Sequence, residues 1–419
     1  MSRNNLLAKA RNIWNTFFNK NESPREMLER SDLYKVAIAA TYRNLRSPSF
    51  RSHSKETLVS FYDEACRILE DDFKVYDLPL RSFRLHVQKL IQPNVKESFQ
   101  VFRDVDSLFP DMKEENSIEV IKFCREILRN DRDSTLKALN SLGAEADRNG
   151  QLEFLQLKKL ALEVVFSFYE WESPTIVDYS GFKDGDPFGY IIRQNQEINK
   201  AIRYYQLLNL TKGALIRKEL GFSTIGLRST IPRAGRGIFV DGYAPAGTVI
   251  SYFPGEVWPK EHITNIIATK FFENDPKQHL SMRYDDFLID SRNAPYTVLD
   301  NDKSNPFAIA HIANHPAHGI APNCSTVQLD FSEDMQLGLE KIDTYIPNTY
   351  AKIPSRFGQE AIALEKIRMH GMALITARDV ENEELLYDYR LSPGEHQSYP
   401  DWYEVVDADE IKSRWLVSK

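Results

Sequence analysis

The chain has 419 residues, of which 42% are hydrophobic and 27% charged, with a formal net charge of −7. This is the composition of a globular protein long enough for two or three domains, and its net acidity speaks against a general nucleic-acid binder. No apolar run approaches the roughly 20 residues of a membrane-crossing helix, and Cys66, Cys124 and Cys324 stand too far apart for a zinc-ligand spacing or a disulfide framework.

Residues 1–21 carry Arg3, Lys9, Arg11 and Lys20 with no acid, and Leu6, Ala10, Ile13 and Phe17 fall on one helical stripe. Such a segment reads as a mitochondrial targeting peptide or as a docking helix. An intracellular setting fits the scarce cysteines, with mitochondrion against cytoplasm or nucleus left open. From Arg25 to about Trp171 apolar residues recur at helical spacing, for example Ile118, Ile121, Phe123, Ile127 and Leu128. Residues 1–172 are therefore expected to form a helical N-terminal domain. Within it, Glu145 to Gln156 has the outline of an EF-hand loop, with oxygen ligands at its first, third and fifth positions and Gly150 at the sixth. Its twelfth position is Gln156 where a bidentate Glu is needed, so a polar helix–turn–helix corner is the better reading.

A connector with Gly181, Gly185, Pro187 and Gly189 follows, then a helix from about Ile191 to Lys218; together they span 173–220. Beyond it the chain turns β-rich. Ala234-Gly235-Arg236-Gly237-Ile238-Phe239-Val240 is a Gly-x-Gly opening onto a strand, and Phe253-Pro254-Gly255-Glu256 closes the next one. Asn314-His315 precedes Pro322-Asn323-Cys324. The apolar run Met372 to Ala377 reaches the charged pair Arg378-Asp379, turns at Asn382, and leads through Glu383-Glu384-Leu385-Leu386 to Tyr387-Asp388-Tyr389. Asn382 suits a tight corner of positive φ.

These pieces, in this order, resemble the SET domain of protein-lysine methyltransferases and, within that group, the SET domain-containing protein 9 family. Leu220-Gly221-Phe222-Ser223, Leu288-Ile289-Asp290, Asn305-Pro306-Phe307-Ala308 and Tyr345-Ile346-Pro347-Asn348 carry the narrower likeness. The resemblance covers about 220–390. It implies an α+β protein: the helical half, then a β-rich SET fold of short sheets at 221–390 with a knot-like active site, and an aromatic, acidic tail at 391–419.

The resemblance also implies a chemistry, transfer of a methyl group from S-adenosylmethionine to a lysine of a protein substrate. Gly235, Arg236, Gly237, Phe253, Asn314, His315 and Tyr389 would contact the cofactor, with Asn314 and His315 at its adenine and amino-acid ends. Tyr389 would orient the amine as the channel tyrosine, with Asp388 a structural neighbour. Tyr387 occupies the position that sets how many methyl groups are added, and its hydroxyl implies monomethylation. Departures from the family pattern are Phe253 for a tyrosine, Pro316 after Asn-His, the insertion Ala317 to Ala321, and Asn382 in place of a glycine turn. They keep open a second reading, a catalytically silent SET fold serving as a binding or assembly module. The tail's Tyr399, Trp402 and Tyr403 would cover the lysine channel where relatives use a zinc-bound segment.

Overall fold

The computed structural model describes residues 23–46, 60, 63–67, 78–109, 117–148, 151–170, 207–259, 279–294, 305–332, 345–351, 367–391, 399, 402–409 and 411. The amphipathic stretch at 1–21 and the connector at 173–189 lie outside them.

Among the described residues the long helices come first: α1 (Pro24–Leu45), α2 (Leu80–Asp106), α3 (Ser117–Arg148) and α4 (Gln151–Glu170). Helix α1 starts on a capping box. The Glu26 N–H donates to the Ser23 hydroxyl, the Ser23 N–H donates to the Glu26 carboxylate, and Pro24 fills the first helical position, where no N–H is needed. Helix α2 carries Phe83, Val87, Ile91, Val95, Phe99 and Phe102 along one buried stripe. Helix α3 runs to Arg148 and α4 begins at Gln151, so the opening positions of the EF-hand outline, Glu145 to Arg148, lie within a helix and not in a loop.

Among the described residues the β-rich half holds three small sheets. The first is β1 (Phe222–Arg228), β2 (Arg236–Ala244) and β10 (Val380–Glu381), in the order β1-β2-β10. The second orders β3 (Val249–Tyr252), β9 (Ile367–Thr376) and β7 (Cys324–Ser332) as β3-β9-β7. Its central strand β9 contains the apolar run that the sequence marks, and Ala373, Leu374 and Ile375 are buried between two partners. The third sheet runs β5 (Leu280–Met282), β6 (Leu288–Asp290), β4 (Gly255–Trp258) and β8 (Asn348–Tyr350). Helices first and short mixed sheets after give the α+β class expected from the sequence.

The helices do not pack apart from the sheets. Leu33, Val36 and Ala37 of α1 and the α2 stripe share one buried cluster with Ile238, Val249, Tyr252, Leu329 and Leu374. Phe99 sits 5.7 Å from Tyr252 and 6.1 Å from Phe331, ring to ring. Each such side chain contributes about 1.5–3 kcal/mol of apolar transfer on burial, so the helices and strands stabilise each other. Helix α4 docks separately, stacking Phe154 on Phe239 of β2 at 5.8 Å and placing the Lys158 ammonium 3.0 Å from Asp241. The expected boundary at 172 falls outside the described residues, but all the contacts named here cross from one side of it to the other.

Candidate active site

One short segment, 383–387, is gripped by three others. The Leu385 N–H donates to the Ile238 carbonyl at 2.7 Å and Val240 donates to Glu383 at 2.9 Å, which ties the segment to β2. On its other side the Tyr387 N–H donates to the Asn314 carbonyl at 3.1 Å, and Asn323 and Cys324 both donate to Leu386. The Asn323 side chain completes the crossing: its amide donates to the Glu384 carbonyl and its oxygen accepts from the Leu386 N–H, both at 2.8 Å. A chain held this way passes between elements distant in sequence. The corner before it is Asn382, at φ +47°, with its side-chain oxygen accepting from the Gly242 N–H at 2.9 Å. A polar side chain that bonds locally makes this left-handed conformation cheap.

The crossing delivers two phenols side by side. Tyr387 and Tyr389 have ring centroids 4.9 Å apart, and Phe253 meets Tyr387 edge-on at 5.9 Å. The Tyr389 hydroxyl donates to the Ala313 carbonyl at 2.8 Å. Burial pushes its pKa up to about 12 and pushes that of Tyr387 well above the ordinary phenol value. Both rings are therefore neutral in the physiological range.

His315 lies against Tyr389, ring centroids 5.4 Å apart, and its tautomer follows from its partners. The Tyr389 N–H points at Nδ1 at 3.3 Å, so Nδ1 accepts; Nε2 then carries the proton and donates to the Glu404 carbonyl at 2.7 Å. Loss of solvation lowers the pKa of the ring, with the Glu404 carbonyl and Asp388 pulling the other way. Asp388 accepts from the Arg390 N–H at 3.0 Å and from the Tyr403 hydroxyl at 3.3 Å, so its contacts are those of a structural neighbour.

The tail closes over this cluster. Tyr403 stacks on His315 at 4.4 Å, Tyr399 packs on Tyr403 at 5.1 Å, and Trp402 meets Tyr389 edge-on at 6.1 Å while 62% exposed. Glu404 also pairs through its carboxylate with His318 of the inserted loop. The insertion and the tail thus hold each other.

Asn314, Gly237 and the carboxylate of Glu384 meet on the opposite side of the crossing. The Asn314 amide donates to the Arg236 carbonyl at 2.9 Å and to Glu384 Oε1 at 3.0 Å. Glu384 also accepts from the Ser229 hydroxyl at 2.7 Å and from the Thr230 N–H and hydroxyl at 2.8 and 2.6 Å. A Cβ on Gly237 would fall 2.9 Å from the Glu384 carboxyl carbon and 3.0 Å from the Asn314 amide nitrogen. Gly235 is different: at φ +77° it needs glycine for the turn, and nothing lies within 4 Å of where its Cβ would stand. All the residues expected at the site are therefore placed around one crossing. Sequence reasoning missed the hub, Glu384. Its signal was an acid inside a run that must be buried, which demands several donors.

No family model matches this chain. The architecture is α+β, with helices first and short sheets after, and the ordered motifs resemble those of SET domains. SET domain-containing protein 9 of Homo sapiens is 23% identical over 211 residues, 45% of this chain and 64% of that protein. The Pongo abelii protein of the same name is 24% identical over 169 residues, 35% of this chain and 59% of its own length. The matches thus span a little under two thirds of these relatives. The chain is similar to SET domain-containing protein 9, as its motifs imply. Among the described residues no helix is long and apolar enough to cross a membrane.

Proposed function

We propose that this protein transfers a methyl group from S-adenosylmethionine to a lysine amine of a protein substrate. The observation that carries the reading is the Tyr387/Tyr389 pair, delivered by the 383–387 crossing beside Asn314-His315 and fixed by the Tyr389 bond to Ala313. The side of Gly235 where a Cβ would stand is open, which leaves its backbone accessible to such a cofactor. Gly235, Arg236, Gly237, Phe253, Asn314, His315 and Tyr389 would hold it, and it would supply a methyl group on a sulfonium.

The chemistry asked of the protein is positioning and desolvation. The Tyr389 proton is already given to Ala313, so its oxygen faces an incoming amine as an acceptor. Accepting one N–H turns the nitrogen lone pair to a fixed direction. Tyr387, itself against Phe253, and Trp402 pack on Tyr389, and a position beside such rings favours the neutral amine over the ammonium. Tyr387 is expected to limit the product to monomethyl-lysine, because its hydroxyl can hold a water or the amine itself in the space a second methyl would need.

Calorimetry on the full chain with S-adenosylmethionine tests the reading, with Asn314→Ala as the site variant. Wild-type protein should bind and Asn314→Ala should bind more weakly. No heat and no thermal shift at millimolar cofactor would reject it. A silent binding module is the second reading. It is favoured by the commitment of the Asn314 amide and of both His315 ring nitrogens to partners inside the protein.

A further inference from the structure

The segment carrying Tyr387 and Tyr389 is bounded by two charged residues, and both are held by one helix that lies outside the SET-like stretch. In its first half, Asp32 of α1 takes the Arg390 guanidinium in a bidentate pair, at 2.7 and 3.0 Å. The Tyr284 hydroxyl donates to the same carboxylate, and Lys35 stands 3.7 Å away. At the other end Arg46, the residue that caps α1, donates to Asp379 at 3.0 Å and to the Tyr243 hydroxyl at 2.9 Å, and Tyr243 in turn donates to Asp379 at 2.8 Å. The Arg46 side chain is fully buried. The two grips are fourteen residue steps apart along α1, about 21 Å at 1.5 Å per residue, and a rigid rod of that length fixes the spacing between Asp379 and Arg390.

Arg390 also has an unusual backbone. Its φ is +51°, a left-handed conformation that a long side chain adopts only when its surroundings impose it. The surroundings here are the Asp388 side chain, which accepts the Arg390 N–H, and Asp32, which holds the guanidinium. The next residue toward the N-terminus is Tyr389. Any relaxation of Arg390 toward ordinary φ would rotate the peptide that sets the direction of the Tyr389 ring. Fixed, bidentate geometry is what an arginine–carboxylate pair supplies and a lone charge does not.

We propose that α1 is part of the catalytic apparatus and that Asp32 is a positioning residue for Tyr389, acting through Arg390, with Arg46 anchoring the far end of the same segment. That Tyr389 meets an amine rests on the methyltransferase reading; that α1 sets its orientation does not. The test uses full-length protein carrying 3-fluorotyrosine, with the Tyr389 fluorine resonance assigned by its loss in Tyr389→Phe. Asp32→Asn keeps the shape and removes the charge. It should shift that resonance and lower the turnover number for tritium transfer from S-adenosylmethionine to a lysine-peptide array at least tenfold. Cofactor affinity should stay within twofold. Val87→Ala, a core truncation on α2, should lower the melting temperature and leave the resonance in place. The exchanged pair Asp32→Arg with Arg390→Asp should bring the resonance part of the way back. An unmoved Tyr389 resonance in Asp32→Asn, or an equal shift in Val87→Ala, overturns the proposal. If the wild-type protein binds no cofactor, the methyltransferase reading fails by itself and the fluorine comparison still decides the role of α1.

Discussion

Replacing Gly237 by alanine should damage the protein more than replacing Gly235, although the two glycines belong to one motif. At Gly237 the new methyl group would collide with the Glu384 carboxylate, and the side chain would have to leave its place. Oxygen Oε1 there accepts from Ser229 and from Asn314, while Oε2 accepts twice from Thr230. Bonds to a buried charge contribute about 1.5–3 kcal/mol each, and overpacking of a filled site adds about 1–3 kcal/mol. If relaxation keeps the two Thr230 bonds and loses the pair on Oε1, the two lost bonds and the overpacking together come to about 4–9 kcal/mol. Gly235→Ala meets only the backbone penalty of a left-handed alanine, about 1–2 kcal/mol, because its side is open. Urea unfolding of the three proteins measures both values. A Glu384→Ala background gives the sharper control: with the carboxylate gone, Gly237→Ala should cost under about 1 kcal/mol more, so the two changes couple strongly. Equal losses for Gly235→Ala and Gly237→Ala, or additivity with Glu384→Ala, would refute the reasoning.

Tyr389→Phe should cut methyl transfer about a hundredfold or more, since the oxygen that orients the amine is lost, whereas Tyr387→Phe should retain activity and move the product toward dimethyl-lysine; mass spectrometry of the product separates the two. Burial of His311 lowers its pKa to about 4. The unfolded chain takes up that proton first, near pH 6.5, so stability is complete above this value and falls as pH drops from about 6.5 to 4, by about 2 kcal/mol at pH 5 from this ring alone. His311→Phe should flatten that part of a stability profile, and an unchanged slope would count against it. Limited proteolysis should cut first within 173–189, yet the fragments should elute together, because α1, α2 and α4 pack on the strands; fragments that separate without denaturant would contradict the shared core.

Local signals were legible and distant ones were not. Asn382 at a left-handed corner, the buried run in β9, and the Tyr387/Tyr389 pair all follow from residue types and short spacings. The reason for Gly237 did not. The sequence suggests close approach to a ligand, but the neighbour filling the missing Cβ is Glu384, 147 positions away. The same holds for the helical half. Its periodicity shows helices with apolar stripes and says nothing of what covers them, so a self-contained domain is the natural expectation. Asp32 with Arg390 and Arg46 with Asp379 span more than 330 residues, and no local pattern encodes such pairs.

His315 gives the last prediction, in which acid should loosen the site through a single proton. At neutral pH its Nδ1 accepts from the Tyr389 N–H and its Nε2–H donates to Glu404, so both nitrogens are used only in the neutral ring. Burial holds its pKa below the ordinary value. The folded protein therefore binds this proton less readily than the unfolded chain, and the stabilisation is complete above about pH 6.5 and fades as pH falls toward the folded pKa. Once protonated, Nδ1 becomes a donor facing the Tyr389 N–H, and that contact turns repulsive. Asp388, 3.6 Å from Nδ1, is then the acceptor at hand. The ring would swing toward it and carry Tyr403, stacked at 4.4 Å, along. Trp402 neighbours both Tyr403 and Tyr389, so its fluorescence should report the change in acid. Histidine ring NMR across pH 4–8, with His315 assigned by His315→Asn, should give a pKa below 6.5 and a Trp402 signal that titrates with it. A pKa above 6.5 for this ring would show that the Asp388 and Glu404 attractions outweigh burial, and the site would then tighten in acid.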